Sequence, residues 1–237
     1  MNETASNVLI TGASGALGSA LVERFGNSGR VIALERSKDG SAKLQRANAS
    51  VLQLHADTSN AQNLAAALER AQAEHGALTG AVLTAGAWRG GHAFHLPEAA
   101  ADYRTVMDAN LETAQVALRA LLPGMVARGS GSVVLIGSRS GVRPFSAPGD
   151  AAYAAAKAAL MALTQTIAAE VLAYGVRVNM VMPSTIDTAA NRKAMPEADT
   201  SRWVTTESLG DVVEFLLSAR SRDVSGAALP VYGQSGV

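Results

Sequence analysis

Val8-Leu-Ile-Thr-Gly-Ala-Ser-Gly-Ala-Leu-Gly18 sets three glycines, three residues apart, directly behind a short apolar run and ahead of the helical pattern from Ala16 to Phe25. Apolar run, small-residue turn and helix in that order form a phosphate cradle. The small residues let backbone come close to a pyrophosphate, and the helix start offers unpaired amides to its charge. A glycine-rich turn alone is weak evidence, so its surroundings matter. Glu35 follows the next apolar run, Arg30 to Leu34, where a carboxylate accepts hydrogen bonds from the hydroxyls of an adenosine ribose and repels a 2′-phosphate. Arg36 comes next, and its guanidinium suits that phosphate instead. No basic residue lies between Gly12 and Gly18, which favours NAD(H) and leaves NADP(H) possible.

Working outward, short apolar runs at Asn7 to Ile10, Arg30 to Leu34, Val51 to Leu54, Ala81 to Thr84, Ser132 to Gly137, Val176 to Met182 and Ala228 to Val231 alternate with longer helical patterns. The latter cover Ala16 to Phe25, Ala61 to Glu74, Glu98 to Ala127, Asp150 to Tyr174 and Glu207 to Ala219. This alternation predicts an α/β fold, a single Rossmann-type doubly wound parallel sheet of about seven strands with helices on both faces. Ligands of such sheets bind beyond the carboxyl ends of the strands. No linker or repeat interrupts the pattern, so residues 1–237 read as one nucleotide-binding domain. The 48% hydrophobic content supports a sizeable core.

Twenty basic residues balance twenty acidic ones, which argues against nucleic acid or anionic lipid as a partner. The absence of cysteine excludes disulfides, thiolate metal sites and cysteine nucleophiles. His55, His75, His92 and His95 lack metal-ligand spacing, so no metal is expected. The N-terminal residues show no secretory pattern, and no later apolar run reads as long enough to span a bilayer. A soluble cytoplasmic protein is expected, with the sequons at Asn2 and Asn48 as chance matches.

Tyr153 and Lys157 stand four apart in the Ala-rich run from Ala151 to Leu160, hence on one helix face. An ammonium beside a phenol favours the phenolate, so Lys157 is expected to make Tyr153 more acidic and fit for general acid or base work on a carbonyl or carbinol oxygen. A nucleotide cradle plus such a tyrosine points to hydride transfer with a small carbonyl or alcohol substrate.

In order along the chain, these segments resemble the short-chain dehydrogenase/reductase family over nearly its whole length. Thr11 to Gly18, including Ser14, Ala16 and Leu17, corresponds to the cofactor turn. Asp57, beside Thr58, looks like the adenine-contacting aspartate, though it also suits the cap of a helix starting at Asn60. Thr84-Ala85-Gly86 resembles the Asn-Ala-Gly strand end. Asn110, Ser138, Tyr153 and Lys157 correspond to the catalytic set, and Pro183-Ser184-Thr-Ile186-Asp-Thr188 to the segment meeting the nicotinamide carboxamide. The resemblance implies that Ser138 orients the substrate oxygen, Lys157 holds the nicotinamide ribose, and Asn110 holds a water of the proton relay. Departures are Ala16 and Ser184 in place of glycine and Thr84 in place of asparagine. Ser138 lies fifteen positions before Tyr153, and Ser140 suits the commoner, shorter gap. Ser138 is preferred because Ile136-Gly-Ser138 followed by Gly141 matches the strand end better.

Asp187 to Trp203 also resembles dihydropteridine reductases, which leaves a quinonoid pterin as an alternative substrate beside a ketone or 3-oxoacyl compound. A silent NAD(H)-sensing regulator is the non-enzymatic alternative. Residues 87–97 and 189–204 read as substrate loops, where Trp88, Phe94, Met195 and Trp203 either line an apolar pocket or anchor the loops. Arg192, Lys193, Glu197 and Asp199 read as a solvated loop. Small and apolar residues on the long helices suggest a homo-oligomer, a tetramer or else a dimer.

Overall fold

The computed structural model of the chain describes residues 7–36 and 50–234, so Asn2 and Asn48 fall outside it. Seven strands form one parallel sheet: β1 (Asn7–Thr11), β2 (Arg30–Glu35), β3 (Val51–His55), β4 (Gly80–Leu83), β5 (Gly131–Ile136), β6 (Val176–Pro183) and β7 (Ala228–Val231). Their order is β3-β2-β1-β4-β5-β6-β7, so the chain reverses its direction of travel between β1 and β4. That reversal opens the crevice at the carboxyl ends of these two strands.

Both faces of the sheet are apolar because both are covered. Leu9, Ile32, Leu34, Leu83 and Leu135 bury one face against α2 (Ala61–His75), α4 (Thr113–Arg128) and α5 (Ala151–Val171). Val8, Ile10, Val31, Ala33 and Val134 bury the other against α1 (Ala16–Gly26) and α7 (Thr206–Leu217). Successive side chains on a strand point to opposite faces, so Val8 and Leu9 serve different cores. The expected strands are present within one or two residues at each end, and so are the expected helices except two: the helix expected to reach Tyr174 ends at Val171, and the stretch from Glu98 to Ala127 is divided.

Two expectations need correcting. The stretch from Glu98 to Ala127 is three segments, α3 (Pro97–Met107), a π-helical turn at Asp108–Glu112 and α4. Asn110 sits in that wider turn, and its Nδ2 donates to the Val106 carbonyl four residues back (2.9 Å) and to the Ala87 carbonyl (2.7 Å). Side-chain amides competing for backbone carbonyls have no signature in apolar periodicity. Second, the helical run Ala151–Tyr174, mean hydropathy 1.2, is apolar and long enough to cross a membrane by composition. It packs on β6 instead and buries Ala156, Lys157, Leu160, Thr164 and Ala168.

The Gly-rich turn is held by close backbone approach. Gly12 adopts φ +63°, and a Cβ there would lie 2.9 Å from the Ala85 amide nitrogen. A Cβ on Gly18 would lie 2.2 Å from the Gly12 carbonyl oxygen, with no side chain to move aside. Gly18→Ala is therefore expected to lower stability by about 1–3 kcal/mol, read as a fall in Tm of roughly 2–10 °C by calorimetry.

Candidate active site

At the crevice, Gly15 closes the turn by donating to the Gly12 carbonyl (3.0 Å), and α1 begins at Ala16 without a side-chain cap. The first amides of α1, around Leu17 and Gly18, are thus left to an anion. Thr84 ties the end of β4 to the same turn, its hydroxyl donating to the Thr11 carbonyl (2.5 Å). Replacing the family's asparagine, it keeps β1 and β4 in contact.

Glu35 is buried at the end of β2 and accepts from both the Ser14 amide and the Ser14 hydroxyl, the latter at 2.8 Å. The carboxylate therefore braces the turn from the end of β2. Arg36 is exposed, and its charge acts on Asp57. Hydrogen bonds from Ser59 to Asp57 hold that carboxyl below its ordinary range. The helix cap is Asn60, which accepts from Gln62 and Asn63, so Asp57 is not the cap; Thr58 is buried beside it.

Deeper in the crevice, Gly86, Asn110 and Lys157 meet. A Cβ on Gly86 would stand 2.7 Å from Asn110 Oδ1 and 3.7 Å from Lys157 Nζ, so the glycine lets the end of β4 pass both groups. Lys157 Nζ donates to the Ile136 carbonyl (2.8 Å) and lies 5.6 Å from the centre of the Tyr153 ring. Burial pushes its pKa down to about 8. The Tyr153 phenol is hydrogen-bonded to Ser138, and the Ser138 oxygen also accepts from the Ser140 amide (3.2 Å). Of the two candidate serines, Ser138 is the one that meets Tyr153.

The expected acidification of Tyr153 by Lys157 is not what the geometry produces. Burial raises the phenol pKa, the Ser138 hydrogen bond opposes the rise, and the charge of Asp150 adds to it. Lys157 directs one of its N–H donors to the Ile136 carbonyl, and burial disfavours its charged form.

Beyond β6, Ser184 donates to the Tyr232 carbonyl (2.8 Å), which fastens the segment after Pro183 to the C-terminal strand. Ile186 forms a bridge with Val204. Thr188 caps the short helix α6 (Ala189–Ala194) by accepting from the Asn191 amide (3.1 Å), so part of the 189–204 loop is helical. Arg192 forms a two-pronged pair with Asp187 (2.6 and 2.7 Å). Trp88, Phe94 and Met195 stay 59, 70 and 39% exposed, so of the two readings these three side chains do not close an apolar pocket.

One residue at the site escaped the sequence reading. Asp150 precedes the Ala-rich helix, where an aspartate ordinarily caps, yet it makes no cap bond. Its Oδ1 accepts from the Trp88 indole (3.1 Å) instead. Three positions before Tyr153 was the only available signal.

The profile of the short chain dehydrogenase family matches residues 6–199. The chain belongs to that family. It is 33% identical to 2-(S)-hydroxypropyl-CoM dehydrogenase 3 of Xanthobacter autotrophicus over 95% of this chain and 94% of that one. It is 29% identical to acetoacetyl-CoA reductase of Synechocystis over 95 and 94%. An oxidoreductase of the short chain dehydrogenase/reductase family from Burkholderia thailandensis superimposes with TM-score 0.85 at 32% identity, covering 98% of this chain and 93% of the other. The chain is accordingly a dehydrogenase or reductase of alcohol and carbonyl groups. Short-chain dehydrogenases generally use a nicotinamide nucleotide, and the uncapped helix start, the glycine cradle and the Gly86 gap fit one.

Burying Lys157 opposes folding. Its folded pKa of about 8 lies below the ordinary 10.5, so the cost, on the order of 3 kcal/mol, is fully present below pH 8 and fades as pH rises toward the unfolded value. Lys157→Met removes it but leaves the Ile136 carbonyl unpaired, at roughly 1–2 kcal/mol. The short-chain dehydrogenase variant is expected to be at least as stable as the wild type at neutral pH and to lose that advantage at alkaline pH, measured by urea unfolding.

Proposed function

We propose that this enzyme transfers hydride reversibly between NAD(H) and a ketone or 3-oxoacyl substrate and its secondary alcohol, with Tyr153 as general acid and base. The observation that carries the reading is the Ser138 hydroxyl bonded to the Tyr153 phenol, with Lys157 one turn along the same helix. Bound at the crevice, the nicotinamide supplies the hydride for reduction and accepts it in oxidation.

During reduction negative charge grows on the carbonyl oxygen, and Ser138 and Tyr153 would donate to it. A phenol whose pKa is raised holds its proton at neutral pH and delivers it to the more basic alkoxide. Lys157, with a pKa near 8, exchanges protons readily in the same range and replenishes the tyrosine. Asn110 supports the relay by holding the ends of β4 and α3 together around Lys157.

For the cofactor, Gly12, Ser14, Gly15, Ala16, Leu17 and Gly18 would hold the pyrophosphate. Glu35, Asp57 and Thr58 would take the adenosine end. Ala85, Gly86, Pro183, Ser184, Ile186 and Thr188 would frame the nicotinamide. NAD(H) is favoured over NADP(H) because the buried Glu35 carboxylate opposes a 2′-phosphate more directly than the exposed Arg36 could attract it. The proposal extends to residues 1–237 as one domain, a cytoplasmic location and a homo-oligomer, for which exposed Tyr103, Leu172 and Tyr174 offer contact surface. Ser138 in contact with Tyr153 supports a ketone more than a quinonoid pterin.

Decay of NADH absorbance with ketones, a 3-oxoacyl thioester and a quinonoid pterin tests the reading. Tyr153→Phe is expected to lower kcat by about 10²–10⁴ with NADH affinity kept, and full ketone reduction by that variant would refute the mechanism. Glu35→Ala is expected to shift the NADH/NADPH ratio of kcat/KM toward NADPH by about tenfold or more, measured with both nucleotides on one ketone.

A further inference from the structure

Asp150 is half-buried at the foot of α5, one turn before Tyr153 and on the same helix face. The loop after β4 closes over it from the other side. Gly91 donates to the Gly149 carbonyl (3.1 Å), and Trp88 Nε1 donates to Asp150 Oδ1 (3.1 Å). A Cβ on Gly90 would stand 2.5 Å from that same oxygen, so glycine at 90 leaves the space the carboxylate occupies. Among the described residues no donor is bonded to Oδ2. A carboxylate oriented by an indole, with one oxygen spare beside the proposed acid, is a ready acceptor.

We propose that Asp150 selects the substrate: its spare oxygen accepts a hydrogen bond from a hydroxyl on the carbon beside the reacting one, favouring α-hydroxyketones and 1,2-diols and disfavouring 2-oxo acids. This rests on Tyr153 being the acid that meets the substrate oxygen, since only then does the neighbouring carbon fall toward Asp150. Among the described residues the partner of this carboxylate is the neutral Trp88 indole, so its charge is left to repel an anionic substrate. A charge-assisted hydrogen bond in a half-exposed place discriminates by about tenfold.

The test compares kcat/KM for 1-hydroxy-2-butanone, 2-butanone and 2-oxobutanoate with NADH near pH 8, where carboxylates are ionised, in wild type, Asp150→Asn and Asp150→Ala. Asn keeps an acceptor for the Trp88 indole, which guards against a collapsed loop. The wild type is expected to prefer the hydroxyketone to the plain ketone by about tenfold. In Asp150→Asn that ratio falls toward one while the ratio of oxo acid to plain ketone rises. Opposite movements of the two ratios mark a charge effect, which loss of folding does not produce. Unchanged ratios in both variants, with the wild type turning over ketones, would overturn the role of Asp150 alone. No reduction of any of these compounds by the wild type would overturn it together with the reading it rests on.

Discussion

Backbone approaching backbone at the reversal point of the sheet is the constraint on which the rest of this molecule depends. The Gly12 carbonyl sits where a Cβ on Gly18 would be, and Gly12 itself presses on the Ala85 amide at the end of β4. These contacts bring the turn after β1, the start of α1 and the end of β4 within one crevice. Thr84 fastens the arrangement through the Thr11 carbonyl, and Glu35 braces it through Ser14. Every group proposed for cofactor or substrate is aligned relative to this junction, because strands of a parallel sheet present their carboxyl ends on one edge.

Electrostatics at the inner end of the crevice follow from burial more than from charge pairing. An ammonium taken out of water loses proton affinity, and a phenol taken out of water gains it. Lys157 and Tyr153 thus move apart in basicity, the ammonium becoming the stronger acid and the phenol the weaker one. Between groups separated in this way a proton passes downhill from the ammonium to a tyrosinate. The site opposes folding in order to hold them, and the apolar layers on both faces of the sheet offset that cost.

Much of the fold is legible in the amino-acid sequence. Seven apolar runs separated by helical patterns imply a parallel sheet, since only buried strands are apolar on both faces, and Leu9 and Val8 illustrate the two faces. Asn110, Ser138, Tyr153 and Lys157 were legible from their order along the chain, and the structure brings them to one edge. The π turn at Asp108–Glu112 was not, because the bond its Asn110 amide makes to the Val106 carbonyl has no signature in apolar periodicity. Thr188 as a helix cap was equally hidden, since its partner Asn191 becomes a first-turn residue only once α6 forms.

The sequence by itself determined the α/β class, the glycine turn and the helical pairing of Tyr153 with Lys157, all of which rest on spacing along the chain. Tertiary structure decided which serine meets the phenol, which way the phenol's acidity moves, and that Asp150 turns from capping α5 to bonding Trp88. The physical reason is the same in each case. Spacing fixes neighbours within a helix or strand, whereas desolvation and contacts between distant loops depend on how those elements pack.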